Sequence, residues 1–174
     1  MTEANKDAVD SRAVPADAVD AIIDQWHAVR PDLDVAPMAV FGRIYRIARA
    51  MGDAVEQAYA PYGISRGEFD VVATLRRSGA PYTLSPRQLS ATLMLTTGGM
   101  TGRLDKLEKA GLLGRRPDPH DRRGLQVTIT DRGLALIDEA VVSGLETQRA
   151  ALKGLGDEEA ALLTGLLRKL MAEV

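Results

Sequence analysis

The segment from Leu84 to Thr130 constrains the fold most, because it carries two capped helices followed by a basic loop between two short strands. The first helix begins at Ser85, with Pro86 at its first position, where no backbone N–H is needed, and with Gln88 closing a capping box. The second begins near Thr96 and ends before a glycine suited to a helix C-terminus. This order of elements predicts a winged helix-turn-helix, a fold that places its second helix in the major groove of double-stranded DNA.

Two strands are predicted around the basic loop, at about 112–116 and 125–130, because apolar and polar residues alternate in the second of them. The Pro/Asp/Arg/Gly stretch between them is too polar to join a core and predicts a projecting wing. Its arginines suit the narrow, electronegative minor groove, and Asp121 is a candidate to brace a neighbouring arginine. The alternative is a flexible, solvated loop. The wing arginines are Arg115, Arg116, Arg122 and Arg123.

A helical wheel of the second helix separates an apolar face, with Met100, Leu104 and Leu107, from an outward face that begins with small residues. Hydroxyl groups and free N–H groups at such a start suit contacts with phosphates and base edges, and the glycines permit close approach. The alternative is a frayed helix start. The outward face holds Gly98, Gly102, Asp105, Lys106 and Lys109. The candidate DNA-binding residues are Ser85, Arg87, Thr96, Thr97, Gly98, Gly99, Thr101, Gly102, Lys106, Arg116, Arg122 and Arg123.

The rest of the chain is predicted to be mainly α-helical, with this small β-hairpin wing as its sheet. Residues 1–15 lack an apolar period and are expected to be a disordered tail. Residues 16–36 form an extra N-terminal helix and a proline-containing linker, and 63–130 form the winged helix-turn-helix. The segments 37–62 and 131–174 are assigned to dimerisation, since the last helix carries more large apolar residues than a small monomer core needs. Those residues are Leu162, Leu163, Leu166, Leu167, Leu170 and Met171.

Composition restricts the function further. The chain has no cysteine and a net charge of −2, so thiol chemistry is excluded, and no apolar run is long enough to span a membrane. A soluble, cytoplasmic protein is expected. Residues 1–40 are acidic and residues 103–132 are basic, which restricts phosphate contacts to one site. With two distant histidines, His27 and His120, and no phosphate-cradling loop, the sequence indicates neither an enzyme, a metal site nor a cofactor.

The residues of the predicted helix-turn-helix and wing resemble those of the MarR family of winged-helix regulators. Residues 95–112, reading LTTGGMTGRLDKLEKAGL, resemble the family's recognition helix. Residues 118–123, reading DPHDRR, resemble its wing, and 125–133 its return strand and following helix start. The resemblance covers about 38–172. It implies a symmetric homodimer on a pseudo-palindromic operator that represses a gene until a small molecule releases it from the DNA.

Other residues resemble the urate-responsive PecS/HucR-type branch of that family. They include Trp26 with the segment 30–38, and the segment 68–77. This resemblance implies that Trp26, Asp70 and Arg103 hold urate and that Arg115 links the ligand site to the wing. A guanidinium fork can bind the flat urate anion and an indole can cover its face. The simpler alternatives are a packing role for Trp26, a surface role for Asp70 and a structural Asp70–Arg103 ion pair. Another purine or phenolic effector stays open, as does an architectural DNA-binding protein without a ligand.

Overall fold

The structure is a computed structural model that describes residues 15–94, 96–119, 121 and 124–174. The predicted disordered tail lies outside these residues up to position 14. The chain divides into two compact units, Met1–Ala50 and Met51–Val174. No helix among the described residues is long and apolar enough to cross a membrane. The elements are α1 (Ala18–Val29), α2 (Ala36–Tyr59), α3 (Arg66–Arg77), β1 (Thr83–Leu84), α4 (Pro86–Leu93), α5 (Thr97–Lys109), β2 (Leu113–Pro117), β3 (Leu125–Ile129), α6 (Asp131–Ala151) and α7 (Asp157–Met171).

The first unit contains the extra helix α1 and the start of α2. Asp17 caps α1 by accepting the N–H groups of Val19 and Asp20, and the Asp20 carboxylate accepts the Asp17 N–H in return. Val19 is buried, and a Cβ built on Gly42 would lie 3.0 Å from its Cγ1. Arg43 of α2 reaches both capping carboxylates, at 2.8 Å and 2.6 Å. Charge and close packing therefore hold α1 against the start of α2.

Helix α2 begins at Ala36, one residue before the predicted boundary at 37. The Asp34 carboxylate accepts the Ala36 N–H at 3.0 Å, and Pro37 enters the first turn. Proline is well tolerated in a first turn because the N–H that it lacks has no helical partner there.

The core of the second unit lies among α3, α4, α5, the sheet and α6. Ser65 and Ser85 cap helices α3 and α4, each with a capping box, and the box at Ser85 was predicted from the sequence. Their apolar faces, with those of α5, β3 and α6, form one cluster of buried side chains. This cluster includes Val71, Val72, Leu75, Leu89, Met100, Leu104, Leu107, Leu112, Leu113, Val127 and Ile137.

The sheet has three antiparallel strands in the order β1-β3-β2. Strands β2 and β3 form the predicted wing hairpin, in which Arg115 lies opposite Val127. The two-residue strand β1 was not predicted. It pairs with β3, where the hydroxyl groups of Thr83 and Thr128 lie 2.8 Å apart. The mainly helical fold with a small winged sheet is otherwise confirmed.

Helices α6 and α7 end the chain. Thr130 caps α6 by accepting the Gly133 N–H at 3.0 Å, and its own hydroxyl donates to the Gly111 carbonyl oxygen at 2.8 Å. A side chain at Gly133 would collide with the Leu112 carbonyl, so only glycine fits this junction. Helix α7 contains no buried residue.

Candidate nucleic-acid interface

Helices α4 and α5 form the helix-turn-helix. The Ser85 Oγ accepts the Gln88 N–H at 3.2 Å, and the Gln88 side chain accepts the Ser85 N–H at 2.8 Å. Met94 ends α4 in the left-handed conformation, with φ 51°. The Thr96 Oγ1 then caps α5 by accepting the Gly99 N–H at 3.3 Å. Ser85 and Thr96, two of the hydroxyl residues that the sequence nominated for DNA contact, therefore also hold the starts of these helices.

The outward face of α5 is open at its two small positions. A Cβ built on Gly98 or on Gly102 would meet no atom within 4 Å. On the opposite face Met100, Leu104 and Leu107 are buried, as the wheel predicted. The described part of the protein therefore gives no internal reason for glycine at positions 98 and 102, although each costs roughly 1 kcal/mol of helix propensity relative to alanine.

Two charged residues that the wheel assigned to the outward face lie at its edges. The Lys106 Nζ is 3.7 Å from the buried Glu68 carboxylate on α3, while most of the lysine side chain is exposed. The Asp105 carboxylate is 2.7 Å from Arg115 on β2. Because Lys106 has a long, exposed side chain, this loose contact leaves it within reach of a phosphate.

The wing is joined to α5 through Arg115. The Arg115 Nε donates to the Glu108 carboxylate at 2.9 Å, and the Arg115 backbone N–H donates to the same group at 3.0 Å. With Asp105 as a second partner, the guanidinium contacts two carboxylates on one helix. The hydrogen bond from Arg115 holds the pKa of Glu108 below its usual value. The sequence reading missed these two acids, although their spacing of three residues places them on the same side of α5.

The structure describes the surroundings of two further wing residues, Arg116 and Asp121. Arg116 is exposed, and its Nε donates to Gln126 at 3.2 Å across the hairpin. Asp121 is exposed, and Gly124 at the base of the loop donates its N–H to the Asp121 carbonyl oxygen at 2.8 Å. Arg122 and Arg123 lie outside the described residues. Arg87, at the start of α4, is exposed and lines a surface hollow together with Asp118 and Asp121 of the wing loop.

Arg103 lies at the edge of the buried face of α5, next to α3. Its Nη1 donates to the Gly67 carbonyl oxygen at 3.2 Å, in the first turn of α3. Asp70 lies one turn further along α3 and is partly buried. No ion pair joins Asp70 and Arg103 among the described residues, so the structural ion pair considered as an alternative is not formed there. The side chain of Arg103 is also partly buried.

Asp70 has a buried aromatic neighbour. Tyr59 is buried and stacks on Phe69, with ring centroids 4.0 Å apart. Burial raises the pKa of Tyr59, and the charge of Asp70 raises that pKa further. Trp26, the third predicted ligand residue, belongs to the first unit, where it lies on an apolar side of α1 and is 40% exposed.

The capped helix pair, the open face of α5 and the winged hairpin define a DNA-binding transcription regulator of the winged-helix class. The model of the MarR family matches residues 62–124. The chain is 43% identical over 149 residues to the HTH-type transcriptional regulator PecS of Dickeya dadantii (strain 3937), covering 86% of this chain and 90% of that protein. The protein therefore belongs to the MarR family of winged-helix transcription regulators.

Solved structures support this assignment. Apo wild-type MarR from E. coli superposes with a TM-score of 0.65 at 26% identity, covering 75% of this chain and 95% of that chain. Bordetella bronchiseptica BpsR, studied for regulation of its DNA binding by 6-hydroxynicotinic acid, gives a TM-score of 0.67 at 25% identity, with 76% and 98% covered. Because these relatives are regulators, they confirm the expectation that the protein is not an enzyme.

Proposed function

We propose that the protein is a repressor that leaves its operator when a small planar anion binds, and that urate is this anion. The observation that carries the proposal is Arg103, a partly buried guanidinium on the DNA-reading helix to which no described carboxylate is paired. A partly buried cation without a counter-ion favours an anionic ligand, since pairing offsets the cost of its burial. The similarity to BpsR, whose DNA binding is regulated by 6-hydroxynicotinic acid, supports this class of effector.

The DNA-binding surface is the outward face of α5 with the start of α4 and the wing. The start of α5 approaches the bases at its open glycines, and Lys106 and the arginines contact phosphate groups. These roles belong to the predicted set: Ser85, Arg87, Thr96, Thr97, Gly98, Gly99, Thr101, Gly102, Lys106, Arg116, Arg122 and Arg123, with Asp121 bracing the wing.

The ligand acts through Arg103, because this residue binds the anion and belongs to the helix that contacts DNA. Arg103 binds the anion by its guanidinium edge, Trp26 covers the ring, and Asp70 faces the bound charge. A ligand held by both α3 and α5 changes the balance between arrangements of the two helices that favour and disfavour DNA. Arg115 carries this change to the wing through its contacts with α5.

A second copy of the chain completes the regulator. The second unit leaves several large side chains of α6 and α7 exposed, among them Leu145, Leu162, Leu163, Leu166 and Met171. Such faces are usually covered by a symmetric partner. A homodimer presents two α5 helices about one DNA turn apart and therefore reads a pseudo-palindromic operator.

The proposal is tested by a mobility-shift titration on the DNA upstream of the protein's own gene, with urate, xanthine and 6-hydroxynicotinate. We expect urate to release the wild-type protein. Arg103→Ala should retain operator binding and raise the half-release concentration by more than about tenfold, as expected for the loss of hydrogen bonds to a charged group. Arg149→Ala, which removes an exposed arginine of α6, is the control and should respond like the wild type.

The outcomes separate the parts of the proposal. Release by xanthine or 6-hydroxynicotinate but not by urate would replace the ligand and leave the mechanism in place. No release by any of the three would remove the effector proposal and leave a DNA-binding regulator. Loss of operator binding in Arg103→Ala would show that this side chain serves the DNA-binding surface instead.

A further inference from the structure

The guanidinium of Arg103 occupies the space that a side chain at Gly67 would fill. A Cβ built on Gly67 would lie 2.6 Å from Arg103 Cζ, 2.8 Å from Nη2 and 2.9 Å from Nε. Because the central carbon is the nearest of the three atoms, this Cβ would stand over the face of the guanidinium plane and not beside its edge. Non-bonded carbon atoms pack at about 3.5–4.0 Å, so no residue with a side chain fits here while Arg103 keeps its place.

The helix itself does not require glycine at this position. Gly67 lies in the first turn of α3 and, unlike Gly63, Gly79 and Gly111, does not have a positive φ. Glycine inside a helix costs roughly 1 kcal/mol relative to alanine. The atoms that a side chain at position 67 would meet first all belong to Arg103. The steric demand for glycine therefore comes from this guanidinium.

Gly67 restricts Arg103 in two ways. Its lack of a side chain leaves room for the face of the guanidinium, and its carbonyl oxygen accepts a hydrogen bond from Nη1, with an N···O distance of 3.2 Å. Together these contacts set the tilt of the plane and its rotation about the Cζ–Nε direction. In the described part of the chain no carboxylate pairs with Arg103, so the edge formed by Nε and Nη2 is left for a ligand. That edge donates two parallel N–H groups, the geometry that binds two adjacent acceptor atoms of a planar anion.

We propose that Gly67 is a positioning residue for the effector, because it orients the Nε–Nη2 edge of Arg103 toward the bound anion. This inference rests on the proposed role of Arg103 in ligand binding and adds the residue that orients it. The effector class follows from the geometry: a flat anion with two acceptor atoms side by side binds this edge, whereas a spherical anion such as chloride gains nothing from the orientation.

Gly67→Ala is the direct test, with Gly165→Ala as its matched control. Gly165 is also a helical glycine, and a Cβ there meets no atom within 4 Å. For each variant the half-release concentration of urate is measured at a DNA concentration matched to that variant's own operator affinity, and folding is checked by thermal melting. We expect Gly67→Ala to raise the half-release concentration by more than about tenfold, as Arg103→Ala does, and Gly165→Ala to leave it unchanged. A Gly67→Ala variant that folds and responds to urate like the wild type would overturn the inference.

A spectroscopic measurement separates this inference from the urate proposal. The Nε–H signal of Arg103 in a ¹⁵N–¹H spectrum is assigned by its absence in Arg103→Ala. We expect Gly67→Ala to shift this signal even without ligand, because the new methyl group displaces the Arg103 guanidinium. Gly165→Ala should leave the signal in place. If urate fails to bind the wild type, this comparison still decides the role of Gly67. An Arg103 signal that Gly67→Ala does not move would refute that role.

Discussion

At the residue scale, the glycines of the second unit serve different purposes that only the three-dimensional structure separates. Side chains at Gly133 and Gly144 would collide with the Leu112 carbonyl and the Tyr59 ring, so packing requires glycine at both positions. Gly98 and Gly102 have open space instead. A helix that keeps glycine where nothing inside the described protein touches it indicates an approach from outside, and the DNA is the molecule expected on that face.

This contrast predicts opposite effects on stability and DNA binding at the open positions. The double substitution Gly98→Ala with Gly102→Ala should raise the free energy of unfolding, by about 1 kcal/mol at each position, because alanine favours the helix. The same methyl groups should hold the DNA away from α5 and weaken operator binding by about tenfold, the equivalent of about 1.4 kcal/mol. Denaturant unfolding and operator titration measure the two effects on the same preparation.

Gly165→Ala is again the control, since it should stabilise α7 without changing operator affinity. If the double variant were more stable and bound the operator as tightly as the wild type, the open face would not be a close-approach surface. If the double variant were not stabilised, alanine would not be favoured over glycine at these positions, as it is inside an ordinary helix.

Sequence reasoning reached Arg103 but not its surroundings. A rotation of 100° per residue places Arg103 at the edge of the buried face of α5, and in the structure this residue is partly buried. The contact with Gly67 was invisible in the sequence, because a glycine adds nothing to a hydrophobic or charge pattern. The sequence also left an Asp70–Arg103 ion pair open, since two opposite charges on neighbouring helices do not reveal whether their side chains meet.

At the scale of elements, local chemistry predicted where helices begin better than it predicted strands. The capping box at Ser85 and the start of α5 at Thr96 lie where the sequence placed them. Strand β1 was missed because two residues cannot show an alternating pattern, and its partner lies more than forty residues away in the chain. Helix α2 begins at Ala36, one residue before the predicted boundary at 37, and Pro37 is compatible with the first turn of the helix.

The attachment of the wing to α5 predicts a dependence of stability on pH. The pKa of Glu108 is lowered in the folded protein by its hydrogen bond from Arg115. A group with a lowered folded pKa stabilises the fold fully above its unfolded pKa, and the contribution is lost as the pH falls through the folded value. The stability difference between wild type and Glu108→Gln should therefore be constant near neutral pH and shrink as the pH falls below 4.5, the ordinary pKa of a glutamate side chain.

Equilibrium unfolding at a series of pH values measures this difference. The control is the same Glu108→Gln change made in an Arg115→Gln background, where the carboxylate has lost its main partner. In that background the difference should be smaller and should vary less with pH. Equal pH dependence in the two backgrounds would show that Arg115 is not the cause of the shift.

At the scale of the whole molecule, charge and apolar surface are segregated in a way that the sequence already indicated. The net charge is −2, yet the segment around α5 and the wing is basic. Exposed large apolar side chains occur on α1 and the start of α2, including Ile22, Trp26, Phe41 and Tyr45, and on α6 and α7. The leucines of α7 already predicted an excess of apolar surface. A sequence pattern does not show, however, whether other residues of the same chain cover that surface. The structure shows that α7 has no buried residue within the single chain.

A charge placed on this apolar face of α7 should therefore separate two copies of the chain. Leu166 is 53% exposed on the face that also carries Leu162 and Leu163. We expect Leu166→Glu to convert a dimer into a monomer, because an unpaired carboxylate in an apolar interface is costly to bury. The monomer should bind a full operator far more weakly, since it contacts one half-site without its partner. Ala161→Glu, which adds the same charge on the opposite side of α7, should remain dimeric. Sedimentation or light scattering measures the mass, and a dimeric Leu166→Glu protein would exclude this face from the interface.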